Sequence, residues 1–308
     1  MNNQIFDHTF KRILTLSKKA IINLINGLFE TQYPVDSKIV YNWTEHTNRD
    51  LAWRLADTIL SINDMHYYHI EAQMTEDEEI VFRVFEYGFG HAYQNRIVEK
   101  GGETLVFPEP RIVYLSGTSL QKIPEEYSLT LDFGTQGKFN YKVPVIKLQN
   151  ISIEELNNRK MIVLIPFFLL KLRKELQKER TKENMEALQK LILYDIIGSI
   201  NKNEELGNIS QNDGYILKNL TDRLYFEIYS TYNELEEVTM RIDESLQLEC
   251  DKYNLDEMQE TINEQWDKIR EQGDTIREQG DTIREQWDII KELKATVEEL
   301  KKHMAEKV

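Results

Sequence analysis

The chain is poor in the residues that punctuate or cross-link a fold. It has 308 residues and a single cysteine, Cys250, which excludes an internal disulfide framework and a cysteine-based zinc site. The six prolines all lie before residue 170, and there are thirteen glycines. Turns are therefore expected in the first half, with continuous helix after it. Long apolar runs are also missing. The longest, Met161 to Leu170 (MIVLIPFFLL), is ten residues long, too short for a span of ~20 and better suited to a buried core segment. The N-terminal MNNQIFDHTFKRIL has no signal-peptide layout, so a cytoplasmic protein with no membrane association is expected. Positive charge is scarce as well. Against 38 Lys and Arg stand 53 Asp and Glu, a formal net charge of −15 that argues against a basic nucleic-acid coat. Neither G-x-x-x-x-G-K-[ST] nor G-x-G-x-x-G occurs, which removes the usual nucleotide loops.

Hydrophobic periodicity predicts one helix over residues 8–30, stopped by Pro34. Strands follow at 35–43, 54–62 and 67–74, the last two joined by a turn at Asn63-Asp64. A helix is expected from Thr75, as N-cap to an acidic first turn, to about Arg96. RIVYL (111–115) reads as a further strand, and 127–133 and 138–148 as a hairpin about Gly134 to Gly137. The order of elements is that of an α/β domain with a mixed sheet over residues 1–150. Residues 151–259 read as a helical region. From Thr261 a near-identical heptad (TINEQWD, KIREQGD, TIREQGD, TIREQWD) repeats, so 260–308 is expected to form a coiled-coil tail that joins two copies as a dimer.

The chemistry-bearing residues gather on the two central strands. Asp57 lies in RLADTIL and Glu71 in YHIEAQM. Side chains alternate along a strand, so His69, Glu71 and Gln73 share one face while Ile70 and Ala72 take the other. A hairpin at Asn63 returns Asp57 beside Glu71. Two carboxylates and a polar third group suit a hard cation such as Mg²⁺, or Mn²⁺ or Ca²⁺, which can act on a phosphodiester. On spacing alone the alternative is a pair of solvated strand carboxylates.

DHTFKRIL, RLADTIL and YHIEAQM, followed by the aromatic FRVFEYGFGHAY and then RIVYLSG, resemble the recombination-promoting nucleases, also labelled PD-(D/E)xK nuclease family transposases. The resemblance covers roughly residues 5–180. It implies a restriction-endonuclease-like core and metal-dependent cleavage of DNA. Asp57 and Glu71 would be the metal ligands, and Gln73 would stand where the wider superfamily has a lysine, orienting water through its amide. Asp7 would complete the metal shell or cap the first helix. Lys11 and Arg83 would touch phosphate, with pairing to Glu79 as the alternative for Arg83, and His69 would serve as ligand or proton shuttle. The second expectation is a catalytically inactive nuclease-like protein that acts as a coiled-coil interaction module.

Overall fold

The computed structural model describes residues 4–42, 45–46, 54–55, 58–116 and 122–251. The chain divides into two compact units, 1–252 and 253–308, and everything described belongs to the first. Asp57 and the whole heptad tail lie outside the described residues.

The first apolar stretch forms two helices, α1 (Gln4–Ile13) and α2 (Lys18–Phe29), where one was expected. Thr15 Oγ1 donates to the Arg12 carbonyl at 2.8 Å, and Ser17 Oγ caps α2 by accepting the Ala20 N–H. Leu14 and Leu16 are both buried across the break, so the apolar pattern runs through it without a signal. α2 ends before Pro34, at Glu30, whose backbone is left-handed with φ 56°.

Five strands come next: β1 (Ile39–Asn42), the two-residue pair β2 (Glu45–His46) and β3 (Arg54–Leu55), β4 (Thr58–Ile62) and β5 (His66–Gln73). β4 and β5 form the expected hairpin, with Asn63 and Asp64 both at positive φ (53° and 56°). α3 covers Ile80–Gln94 and starts five residues later than Thr75. Asp77 is the cause: its Oδ1 accepts the Glu79 N–H at 2.9 Å, a local bond that holds the acidic stretch in a turn. A small ribbon that the sequence reading missed follows, β6 (Ile97–Glu99) and β7 (Gly102–Thr104), turning at Gly101 with φ 104°. Then come β8 (Glu109–Tyr114), β9 (Glu126–Asp132) and β10 (Lys138–Lys147).

Six strands make one mixed sheet in the order β1-β4-β5-β8-β10-β9. β5, β8 and β10 run parallel at its centre, and antiparallel partners lie outside them. The α/β class with a mixed sheet is as expected. Tyr68, Ile70, Ala72, Val113 and Ile146 enter the larger core beneath α1 and α2. On the other face Ile112, Tyr114, Val143 and Val145 meet Ile80 and Val84 of α3.

The remaining helices are α4 (Ile153–Asn158), α5 (Arg173–Lys178), α6 (Lys182–Lys190), α7 (Ile197–Glu205), α8 (Gln211–Tyr229) and α9 (Glu236–Asp251). The apolar run becomes a 3₁₀ segment, Ile162–Leu172, buried from Ile162 to Leu170. Pro166 within it has no N–H to donate. A π-helical stretch, Leu191–Ile196, links α6 to α7. No helix among the described residues is long and apolar enough to cross a membrane.

Candidate functional site

β5 supplies the floor of the site. Tyr68, Ile70 and Ala72 are committed to the larger core, so His69, Glu71 and Gln73 project from the opposite face, as alternation requires. His69 and Glu71 are both buried. α3 forms the wall. Arg83, Tyr87 and His91 recur every four residues and so line one stripe of the helix. Arg83 reaches Glu71, the Tyr87 ring lies 6.2 Å from that of His69, and the His91 ring lies 4.8 Å from that of Tyr67.

Glu71 is held from one side only. Its Oε1 accepts Nε and Nη2 of Arg83 at 3.1 and 2.9 Å and the Gln73 amide at 3.1 Å. Among the described residues its Oε2 accepts no hydrogen bond, and it lies 3.7 Å from His69 Nε2, close enough for charge to act and too far for a hydrogen bond. Burial pushes the Glu71 carboxyl up, but His69 and the Arg83 guanidinium outweigh it and hold it below the ordinary carboxylate range. Burial lowers Arg83, and its two carboxylate partners, Glu71 and Asp77, more than reverse that. Arg83 Nη1 donates to Asp77 Oδ2 at 2.7 Å, so its side chain joins β5 to the turn before α3 and does not pair with Glu79.

Asp7 lies in the first turn of α1, where its charge suits the positive helix end, and is not the cap residue. Desolvation raises its carboxyl pKa, Lys11 and His8 lower it, and the charge of Glu71 raises it, so Asp7 lies within electrostatic reach of the site. Lys11 sits one turn further along α1, and its charge is felt by Asp7. The described β4–β5 ladder ends at Thr58 opposite Ile70, next to Asp57.

Two contributors were not singled out in the sequence. Asp77 was assigned to a helical first turn. His91 extends the four-residue stripe of Arg83 and Tyr87, and that spacing is the signal by which it could have been found. Among the described residues neither ring nitrogen of His91 or of His69 has a hydrogen-bond partner. Burial, with the nearby His69, lowers the His91 pKa.

Among the described residues no three His, Cys, Asp or Glu converge as a metal cage. The unpartnered Glu71 Oε2 beside the unpartnered His69 Nε2 nevertheless fits one edge of a cation site. No family model, no curated protein and no solved structure was found that matches the chain.

Proposed function

We propose that the chain is a divalent-metal-dependent DNA endonuclease with a restriction-endonuclease-like core, of the kind the recombination-promoting nucleases represent, acting in the cytoplasm and paired through its coiled-coil tail. The observation that carries this reading is Glu71: a buried, ionised carboxylate on a central strand, with one oxygen clamped and the other without a hydrogen bond among the described residues. Asp57 and Glu71 would hold Mg²⁺ or Mn²⁺, with His69 beside them. The ion, when bound, supplies charge stabilisation to a phosphodiester under attack. The residues of the chain do the rest. Arg83 fixes the Glu71 rotamer and keeps the carboxyl ionised. Gln73, bonded to Glu71 through one amide hydrogen, keeps its carbonyl and a second hydrogen for orienting water. Lys11 supplies local positive charge in a chain that is otherwise acidic.

Plasmid nicking in Mg²⁺, with and without EDTA, tests this beside Asp57→Ala and Glu71→Gln proteins whose folding is checked by circular dichroism. Loss of cleavage in EDTA and in both variants is expected. Undiminished nicking in folded Asp57→Ala protein would sink the assignment.

One observation favours the inactive, interaction-module reading. The Arg83 fork already sets a fixed cation against Glu71 Oε1, where a metal ion would otherwise compete. Calorimetry that detects neither Mg²⁺ nor Mn²⁺ binding would decide for that reading.

A further inference from the structure

The side of α3 turned away from β5 is an exposed aromatic stripe. Exposed Phe82, Phe89 and Tyr93, with Phe85 half-buried against Tyr141 between the first two, follow one another at spacings of three, four and four residues. Phe85 and Phe89 stack with centroids 6.4 Å apart, Phe89 and Tyr93 at 6.2 Å, and Phe107 joins Phe85 at 5.6 Å. The Arg96 guanidinium lies 4.8 Å above the Tyr93 ring and extends the row. Phe82 is 59% exposed and Tyr93 53%.

The chain then runs directly into the β6–β7 ribbon, every residue of which is exposed. Val98 is 66% exposed, and Ile97, Leu105 and Val106 add further exposed apolar surface. An isolated two-stranded ribbon is marginal in water, and among the described residues this one pairs with no other strand, so its outer edges are open. Stripe and ribbon together present on the order of 700 Å² of apolar residue surface, close to the ~800 Å² that each partner buries in a standard interface.

Charge selects the occupant. The chain carries −15 overall, yet with Arg83 turned toward Glu71, the face over residues 82–106 holds Arg96 and Lys100 against Glu86, Glu99 and Glu103, a net of only −1. Arg96 and Glu103 neutralise each other at 3.1 Å. Two copies can meet here with little of the like-charge repulsion that a chain of this net charge otherwise imposes. A nucleic acid finds no positive excess to hold it.

We propose that this face is a self-association surface, the α3 stripe and the β6–β7 ribbon of one copy packing on the same elements of a second copy about a two-fold axis. The interface is independent of the nuclease reading and of the heptad tail. Hydrogen exchange of the full chain at low and high protein concentration, read at the amides of 97–104, tests it alongside sedimentation velocity. These amides are expected to slow at high concentration. Val98→Asp, at an exposed ribbon position that no fold contact requires, and Phe82→Ser are each expected to weaken association by about tenfold or more and to abolish the slowing. Ribbon amides that exchange at one rate at every concentration, whether the chain is monomeric or joined elsewhere, would overturn the proposal, as would protection that survives both substitutions.

Discussion

Taking Arg83 away would leave Glu71 buried, ionised and short of its strongest partner. Breaking a buried pair from one side typically costs about 3 kcal/mol, because the remaining charge is uncompensated. Arg83→Met is therefore expected to lower stability by that order in chemical denaturation, and Arg83→Met with Glu71→Gln by less than the two single losses combined. The pH dependence gives the sign. In the native protein the Glu71 pKa lies below its ordinary 4.5, so its contribution is complete above that pH and is lost as pH falls through the folded value. Without Arg83 the burial effect has less opposition and that acid-side loss should shrink. A variant that keeps the full acid-side loss would show that His69 alone sets the charge state. His91 works in a different window. Its folded pKa lies below 6.5, so the unfolded chain binds the proton more readily, and stability falls as pH drops below 6.5. His91→Gln should flatten this part of a melting-temperature profile while leaving the Glu71 region in place. The facing of His69, Glu71 and Gln73 was legible in the sequence because strand alternation needs no knowledge of neighbours. The destination of Arg83 was not, since it depends on α3 starting at Ile80 and on the Asp77 turn that delays it.

The elements show the same division between local and non-local information. The β4–β5 hairpin could be read from Asn63-Asp64, and the β9–β10 pair from Gly134 to Gly137, because each turn is written in its own residues. The break between α1 and α2 was hidden because buried Leu14 and Leu16 keep the apolar rhythm going, and the local Thr15 and Ser17 bonds are reinforced from elsewhere in the chain. Ser17 is held by Asp213, 196 residues away. The β6–β7 ribbon was missed because all six of its residues are exposed and no buried face imposes a period. Contact between elements also restricts positions that sequence treats as permissive. Gly27 sits inside α2, where helix propensity alone favours alanine by about 1 kcal/mol. A Cβ there would lie 2.6 Å from the Arg159 carbonyl and closer still to Met161 Cγ. The Arg159 guanidinium also donates through Nη2 to the Gly27 carbonyl at 2.6 Å, so this crossing has little freedom to widen. Gly27→Ala is expected to destabilise by about 1–3 kcal/mol, measured as a lower denaturation midpoint. A rise in stability would mean that propensity, not the helix crossing, governs the position.

At the scale of the whole molecule one apolar core takes in Phe6 of α1, Val113 of β8, Phe167 of the 3₁₀ segment and Leu246 of α9. The site on β5 is thereby backed by helices from the far end of the described chain. Asp213 is where that continuity is most concentrated. It is 1% exposed at the start of α8. It accepts the Ser17 N–H at 2.8 Å, the Ser17 hydroxyl at 2.5 Å and the Ser210 N–H at 2.9 Å. One carboxylate thus completes the capping box of α8 and pins the residue that caps α2. Asp213→Ala would leave the partly buried Ser17 and Ser210 backbone donors without their acceptor and loosen both helix starts. The expected loss is about 3 kcal/mol, since bonds to a charged group are worth ~1.5–3 kcal/mol and a stranded donor adds its own desolvation cost. The form of the unfolding curve carries more information than its midpoint. If the sheet and the later helices share one cooperative core, the variant should shift the urea midpoint with the slope unchanged, and circular dichroism and tyrosine fluorescence should report the same transition. If the helices after residue 151 instead form a separate unit, the same substitution would split the curve, with the probes parting company and the slope falling. A single transition would mean that the position of Glu71 depends on contacts between residues nearly 200 apart in the chain, such as Ser17 with Asp213, and that substitutions in α8 reach the site through stability without touching it.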